Sequence, residues 1–508
     1  MKNHKGTLLL TCLVISLVSC RNFGTTAAGD GVDSDSIAPH PLTSKQLQSI
    51  DDIDYKVTVY DTLHTGEIDC LRDMYDGHNG SFTFRGGLKR DANYGGKIKG
   101  RPHRVVKDWI FKTLYDTTET ALGSWGGGSG WTGQPVYVRW NKKGMPQEEI
   151  ILGSLCGRVY FLDYRTGQPT RHSIDVTNPI KGSVSLDPTL NGNLYVGQGI
   201  PKVAPMNQLC ISIPRHTITY RSGADSEAWL GWGASDSSPV RIGQFLFWPS
   251  ENGTIYKYLI VGDSLVRHSA LRLKPKRGVP GGVENSMCVY RNHGFFATNA
   301  GDVYCIDLNT LKPLWHYDSH DDIDASIVCE VEGDVPYLYV GSEVDRQGDS
   351  GLSYFTKLNG NTGQPVWQRS FPCNKLLAWG KHYDGGLYGT PLLGRGNCKD
   401  LIFFNLCQYE TSDQADLLAL NRKTGKTVYR KRLNRFAWSS MVGFLNEKGE
   451  QYLFAGDSEG NAYLIEGRTG RILFCQHMVN NFESSPVVIG NTLVVGSRGQ
   501  EIYRFHIE

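Results

Sequence analysis

The stretch "YFLDYRTGQPTR", Tyr160–Arg171, decides the fold, because the chain keeps repeating it. The pattern of an aromatic residue, apolar residues, an acid or Asn and then Thr-Gly returns as "YCIDLNTLKPLW" (Tyr304–Trp315), a degenerate copy lacking the Gly, and as "YFTKLNGNTGQPVW" (Tyr354–Trp367). It returns again as "LLALNRKTGKTVY" (Leu417–Tyr429) and "YLIEGRTGRILF" (Tyr463–Phe474). Apolar–polar alternation on both sides of the Thr-Gly describes two strands joined by a tight hairpin. Such a turn needs one residue at positive φ, which Gly adopts at little cost, and the preceding Asp, Asn or Glu can accept from the turn amides.

The spacing extends the count. The anchors stand at Thr166, Thr310, Thr362, Thr424 and Thr469, and the first gap is three times as long as a normal repeat. Two weaker copies therefore belong between Thr166 and Thr310, and "LCISIPRHTITY" (Leu209–Tyr220) and "IYKYLIVGDSLVRH" (Ile255–His268) fill those places. Each copy has the same grammar. A Ser/Thr segment leads into a short apolar run, as in "SSPVRIG" (Ser237–Gly243), and a second run ends in Gly, as in "YLFAGDS" (Tyr452–Ser458). The hairpin follows. Four short strands in about 40–50 residues make one propeller blade. The sequence predicts an all-β fold: an eight-bladed β-propeller of four-stranded antiparallel blades. The eighth copy stops at "EIYRFHIE" (Glu501–Glu508), one strand short. An unclosed ring leaves two unpaired edges, so the missing strand should come from "RVVKDWIFKTLYD" (Arg104–Asp116), pairing outside Glu501–Ile507.

The N-terminus reads differently. "MKNHK" and the apolar run after it form a signal peptide over residues 1–20, ending in "LVSC" with Cys20 as a lipidation site. Residues 21–54 have the composition of a flexible tether, residues 55–104 form an extension, and residues 105–508 the propeller. Such a chain is expected in the bacterial envelope, lipid-anchored, most simply at the outer membrane. Of twelve Cys, those within strand-like runs read as buried free thiols, whereas Cys373, Cys398 and Cys407 lie near turns and could pair. Net charge is +2, and no basic stripe argues for nucleic acid.

Beyond the repeats, "TFRGGLKRDANYGG" (Thr83–Gly96), followed by "VVKDWIFKT" (Val105–Thr113), resembles the quinoprotein-type propeller family, named for the pyrroloquinoline quinone (PQQ) dehydrogenases. The likeness runs from about Phe82 to the end. One branch of that family consists of outer-membrane assembly lipoproteins that act as scaffolds. The dehydrogenase branch implies a Glu/Asn/Asp calcium site beneath the quinone, with an Asp as base. On that resemblance Glu284, Asn285 and Asp324 are the oxygen set for calcium, and PQQ with calcium is the alternative cofactor pair. The dehydrogenases carry two adjacent cysteines over the quinone, and this chain has no Cys-Cys pair.

Strand order places the long connections, such as Ser222–Asp236 and Asn374–Tyr388, on one face of the ring, and the short turns on the other. Loops on a rigid scaffold are where binding concentrates. Trp125, Trp131, Trp229, Trp232, Trp379, Tyr388 and Trp438 all fall in those long connections. Two readings stand for them: packing between blades, or a stacking surface for a protein partner or glycan. The first function expected is a scaffold or recognition module, and the second a diverged quinone- and calcium-dependent dehydrogenase. "SWGGGSGWTGQP" (Ser124–Pro135) lacks the Gly-Lys-Ser/Thr of a phosphate loop. No hydrolase elbow, zinc-protease or haem-attachment motif occurs.

Overall fold

A computed structural model describes residues 47–508 except 69–72, 78–79, 131, 142–144, 146, 276–278 and 379–380. The expectations for Cys20, Trp131 and Trp379 lie outside the described residues. The fold is the expected one. Eight four-stranded antiparallel blades span residues 136–175, 185–221, 240–273, 288–318, 328–374, 392–432, 442–477 and 487–507, numbered here as blades 1 to 8. Val105–Lys112 closes blade 8 as its outer strand, antiparallel to Glu501–Ile507, with Val105 opposite Ile507 and Lys112 opposite Glu501. Among the described residues no helix is long and apolar enough to cross a membrane.

The repeated Thr-Gly works as its chemistry requires, and does one thing more. Asp163 Oδ1 accepts from the amides of Arg165 and Thr166 at 3.0 and 2.8 Å, and Gly167 sits at φ 70°. The same Gly is also a docking platform. A Cβ on Gly167 would lie 2.7 Å from the Trp109 ring, and one on Gly425 would lie 2.8 Å from Trp367. Each indole packs on the turn of the next blade and donates to its backbone, Trp109 to Tyr164 O at 3.1 Å and Trp367 to Arg422 O at 3.0 Å. The aromatic of one repeat thus needs the glycine of the next. Between blades 5 and 6 the core continues with Phe355 against Phe404, ring centres 4.3 Å apart.

The Ser/Thr segment before each inner strand forms a second inter-blade device around the axis. The amide of Gln134 donates to Ser183 Oγ, Ser238 to Ser286, Ser286 to Ser326, and Thr390 to Ser440, at 2.8–3.0 Å. A hydroxyl satisfies a buried amide of the neighbouring blade where the inner strands have no ladder partner.

The N-terminal extension is woven into the ring. Leu47–Gln48 pairs with the outer strand of blade 4, and Tyr55–Val59 adds a fifth strand to blade 3. Residues 81–94 then enter the axial channel. Inner-strand amides of Leu186, Val289 and Cys329 donate to the carbonyls of Phe82, Leu88 and Lys89. Cys373, Cys398 and Cys407 are free thiols, so no disulfide joins the turns where pairing was considered.

Candidate functional site

Two arginines bolt the axial segment in place. Arg85 and Arg90 are both fully buried with left-handed backbone, φ 55° and 57°. Arg85 donates to Pro391 O at 2.8 Å, Met441 O at 3.3 Å and Arg90 O at 3.0 Å. Arg90 donates to Met287 O at 3.0 Å, Phe84 O at 2.8 Å, Ser238 O at 2.9 Å and Thr83 Oγ1 at 2.9 Å. One planar fork can meet carbonyls from several blades at once, which a lysine cannot. The channel is therefore closed from the short-turn side, and its open end becomes a pit on the long-loop face.

That pit is floored by Phe84 and walled by Glu284, Asp324, Tyr388 and the hydroxyls of Ser286, Ser326, Thr390, Ser440 and Ser485. Its free volume is about 10 Å³, room for a single water-sized group. Carboxylates crowd its rim over blades 3 to 5. Ligand oxygens of Asp236, Glu251 and Glu284 lie within 4.8 Å of one another. Lys181 Nζ is 2.6 Å from Asp236 and 3.7 Å from Glu284. Asn299 Nδ2 reaches Glu284, Asp322 and Asp324 at 3.4, 3.2 and 3.1 Å. Glu343 shares a hydrogen bond with the Tyr388 hydroxyl.

The electrostatics follow from this crowding. Burial, and then the Glu284 charge, hold Asp324 and Asp322 well above the ordinary carboxylate range. Glu251 is lifted the same way, and Glu343 is lifted by burial and then by Asp324. Burial alone would lower Lys181, but the charges of Asp236, Glu251 and Glu284 overcome it and keep the ammonium protonated. One buried lysine thus serves Asp236, Glu251 and Glu284, while Arg346 acts on Asp322.

The sequence-predicted residues divide. Glu284 and Asp324 both line the pit. Asn285 does not: its amide donates to Ala297 O and Ile323 O and accepts from the Ala297 amide, so it secures backbone between blades. Trp232 donates to Glu251 at 2.7 Å and so braces the acid cluster. Tyr388 packs on Trp438 with ring centres 5.3 Å apart, and Trp438 continues onto Phe436 and Tyr383. Trp125 is capped by the Arg498 guanidinium, 4.7 Å above its ring. Among the described residues of this set Trp229 is the one left open, 48 % exposed, with Lys274 5.5 Å from its ring. These aromatics thus belong to connections of the long-loop face, where neighbouring loops bond each other, Glu343 N to Asp322 O and Gly199 N to Pro179 O. They do not converge on one patch. Sequence reading missed Lys181, Glu251, Asn299 and Glu343; Lys181 stands four residues before its inner strand, as Glu284 and Asp324 do, so the repeat position could have found it. It also missed the axial role of Arg85 and Arg90, although their Gly-rich surroundings, "FRGGLKRDANYGG", marked unusual backbone.

Comparison with known proteins agrees with the fold. The PQQ-repeat family model described as outer membrane protein assembly factor BamB matches residues 413–508. No curated protein matches the chain in sequence. Among solved structures, BamB from Moraxella catarrhalis is 13% identical with a TM-score of 0.50, the match covering 79% of this chain and all of that one. Quinohemoprotein alcohol dehydrogenase ADHIIG from Pseudomonas putida HK5 is 10% identical with a TM-score of 0.60, covering 87% and 83%. The quinohemoprotein alcohol dehydrogenase from Comamonas testosteroni is 12% identical with a TM-score of 0.59, covering 84% and 80%. Identities this low establish shared architecture and leave activity open. The family match covers about the last fifth of the chain, and the same repeat grammar runs along the ring, so the chain is similar to the PQQ-like β-propellers.

Proposed function

We propose that this protein is a non-catalytic scaffold or recognition module of the bacterial envelope, lipid-anchored through Cys20, that engages a protein partner or glycan with its long-loop face. The observation that supports the reading is the asymmetry of the ring. The axial segment closes the channel from behind, and the elaborated connections leave the opposite face. There Trp229 is exposed and Tyr388, Trp438, Phe436 and Tyr383 form a continuous aromatic wall beside the pit. The BamB description of the matching family model points to envelope assembly and fits a protein partner there.

The test is site-specific photocrosslinking in intact cells. A crosslinker at Trp229 should trap an envelope component, and the same group at Gly262, on the short-turn face, should trap none. Adducts from Gly262 alone, or none from Trp229, would overturn the reading.

A quinone- and calcium-dependent dehydrogenase is the second reading, favoured by the carboxylates at the axis. It requires Glu284 and Asp324 to hold calcium without the Asn285 amide, which is committed to backbone. It also requires the pit to widen well beyond about 10 Å³ to admit a tricyclic quinone. Stoichiometric quinone uptake with alcohol-dependent dye reduction, after addition of PQQ and calcium, would establish this reading and displace the first.

A further inference from the structure

The joint that closes the ring, Val105–Lys112 against Glu501–Ile507, contains an irregularity. Lys107 stands opposite Phe505 and Trp109 opposite Arg504, so Asp108 is an extra residue in the closing strand, a β-bulge. A bulge re-aims the side chain it carries, and this one turns the Asp108 carboxylate onto the partner strand. Asp108 Oδ2 lies 3.0 Å from Arg504 Nη1, and Oδ1 lies 2.5 Å from His506 Nδ1. The second ring nitrogen of His506, Nε2, lies 2.8 Å from Glu508 Oε1. One imidazole thus stands between two carboxylates, one from each side of a joint that links positions 398 residues apart. Only an imidazolium can donate to both. A neutral ring donates at one nitrogen and turns the lone pair of the other toward a carboxylate.

The charges around this ring are few. On the closing side, Arg104 also pairs with Glu508, and Lys107 turns away to donate to Met478 O at 2.6 Å. Arg504, on the same strand as His506, lies 4.5 Å above the Tyr164 ring of blade 1. On the second strand of blade 8, the residue opposite His506 is the uncharged Thr492. Burial alone would lower the pKa of His506, but its hydrogen bonds to Glu508 and Asp108 overcome that and raise it. The folded chain therefore holds a proton that the unfolded chain gives up. The stability this contributes is fully present below about pH 6.5 and is lost as pH climbs through the raised value.

We propose that His506 is a proton-operated latch on the ring closure: the protonated imidazole ties the bulged Asp108 to Glu508, and its deprotonation loosens the start of the closing strand. The latch is independent of which face docks a partner. The strand it holds is the one whose release would expose a blade edge and open the ring.

Hydrogen exchange of the full chain, read by mass spectrometry of peptic fragments and corrected for intrinsic rates, tests it at about pH 5.5 and about pH 8.5, either side of the histidine range. Fragments covering 105–112 and 501–508 should lose protection about threefold at the higher pH, relative to the strands of blade 7. In His506→Gln that step should vanish, because glutamine does not titrate. In Asp108→Asn it should shrink, because one of the two carboxylates is gone. Equal protection of the parent at the two pH values would overturn the proposal, as would a step that persists in His506→Gln. Should His506→Gln fail to fold, a full-sized step in Asp108→Asn overturns it equally.

Discussion

Replacing Arg90 by methionine isolates what the axial bolt contributes. The guanidinium is fully buried, yet among the described residues no carboxylate forms an ion pair with it. Its partners are the Thr83 hydroxyl and the carbonyls of Met287, Phe84 and Ser238, the first and last from blades 4 and 3. Methionine fills similar volume and removes the burial cost of a charge, a gain of a few kcal/mol. It also strands three buried carbonyls at about 1–3 kcal/mol each. The second effect wins because the acceptors are fixed backbone of different blades and cannot turn to one another. We expect a net loss of about 3 kcal/mol. A substitution at Arg104, whose ion pair with Glu508 leaves its side chain 56% exposed, should cost less than about 0.5 kcal/mol. The assay is urea denaturation followed by near-ultraviolet circular dichroism, with the midpoint shift read at constant slope. A loss below about 1 kcal/mol for Arg90→Met, or one no larger than that of Arg104→Met, would refute the carbonyl-bolt argument.

Three further outcomes follow from the same geometry. Gly425→Ala puts a left-handed alanine against the Trp367 ring, 2.8 Å away, and should cost about 3 kcal/mol, whereas Gly348→Ala, also at positive φ but with open space, should cost about 1–2 kcal/mol. Equal effects at the two positions would deny the indole–glycine docking. Glu251 is raised by burial and then by the Glu284 charge, so the native state keeps a proton that the unfolded chain releases, and stability falls as pH climbs above about 4.3. Glu251→Gln should therefore match the parent in thermal unfolding at pH 4 and exceed it at pH 8; the reverse order would contradict the crowding of acids. Cys373 and Cys407 are buried free thiols, Cys407 pushed up to about 12 by burial, so thiol reagents should modify both only after denaturation. Their modification in the native state would show that this part of blades 5 and 6 opens.

The parts of this protein that were legible in its sequence are those that repeat. Thr-Gly after Asp or Asn recurs because each blade needs the same turn, so Asp163, Asn359 and Asn421 identify three hairpins by one rule. Even the degenerate copy obeys it: Leu311 takes the glycine place at φ 59°, and Asp307 still caps the turn. Closure by Val105–Lys112 was legible because strand arithmetic left one edge open. The pit was only half legible. Glu284 and Asp324 stand four residues before their inner strands and so share the repeat position that faces the axis; Lys181 holds that same position before Ser185, whereas Glu251 and Glu343 follow second strands. The axial segment is harder still. Residues 81–94 are held in the channel by partners far along the chain, and Arg85 meets Met441 across 356 positions. A buried arginine bonded only to carbonyls leaves no complementary acid for pattern reading to find.

The net charge of +2 conceals how charge is arranged along the axis. Composition argued against a strongly charged partner, and as a statement about the whole surface that holds. Folding, however, sorts the charges. Arg85 and Arg90 lie within the channel segment, paired with carbonyls that do not neutralise them, and Arg85 is the residue next to the Phe84 floor. On the far side of that floor stand Glu284 and Asp324, with Asp322 and Glu343 behind them. What lets acids gather at the mouth is local: Lys181 lies 2.6 Å from Asp236, and burial raises Glu251, Asp322, Asp324 and Glu343, which favours their neutral forms. The net charge thus understates the local chemistry, because a buried lysine and raised carboxyls, rather than the channel arginines, make the crowding tolerable.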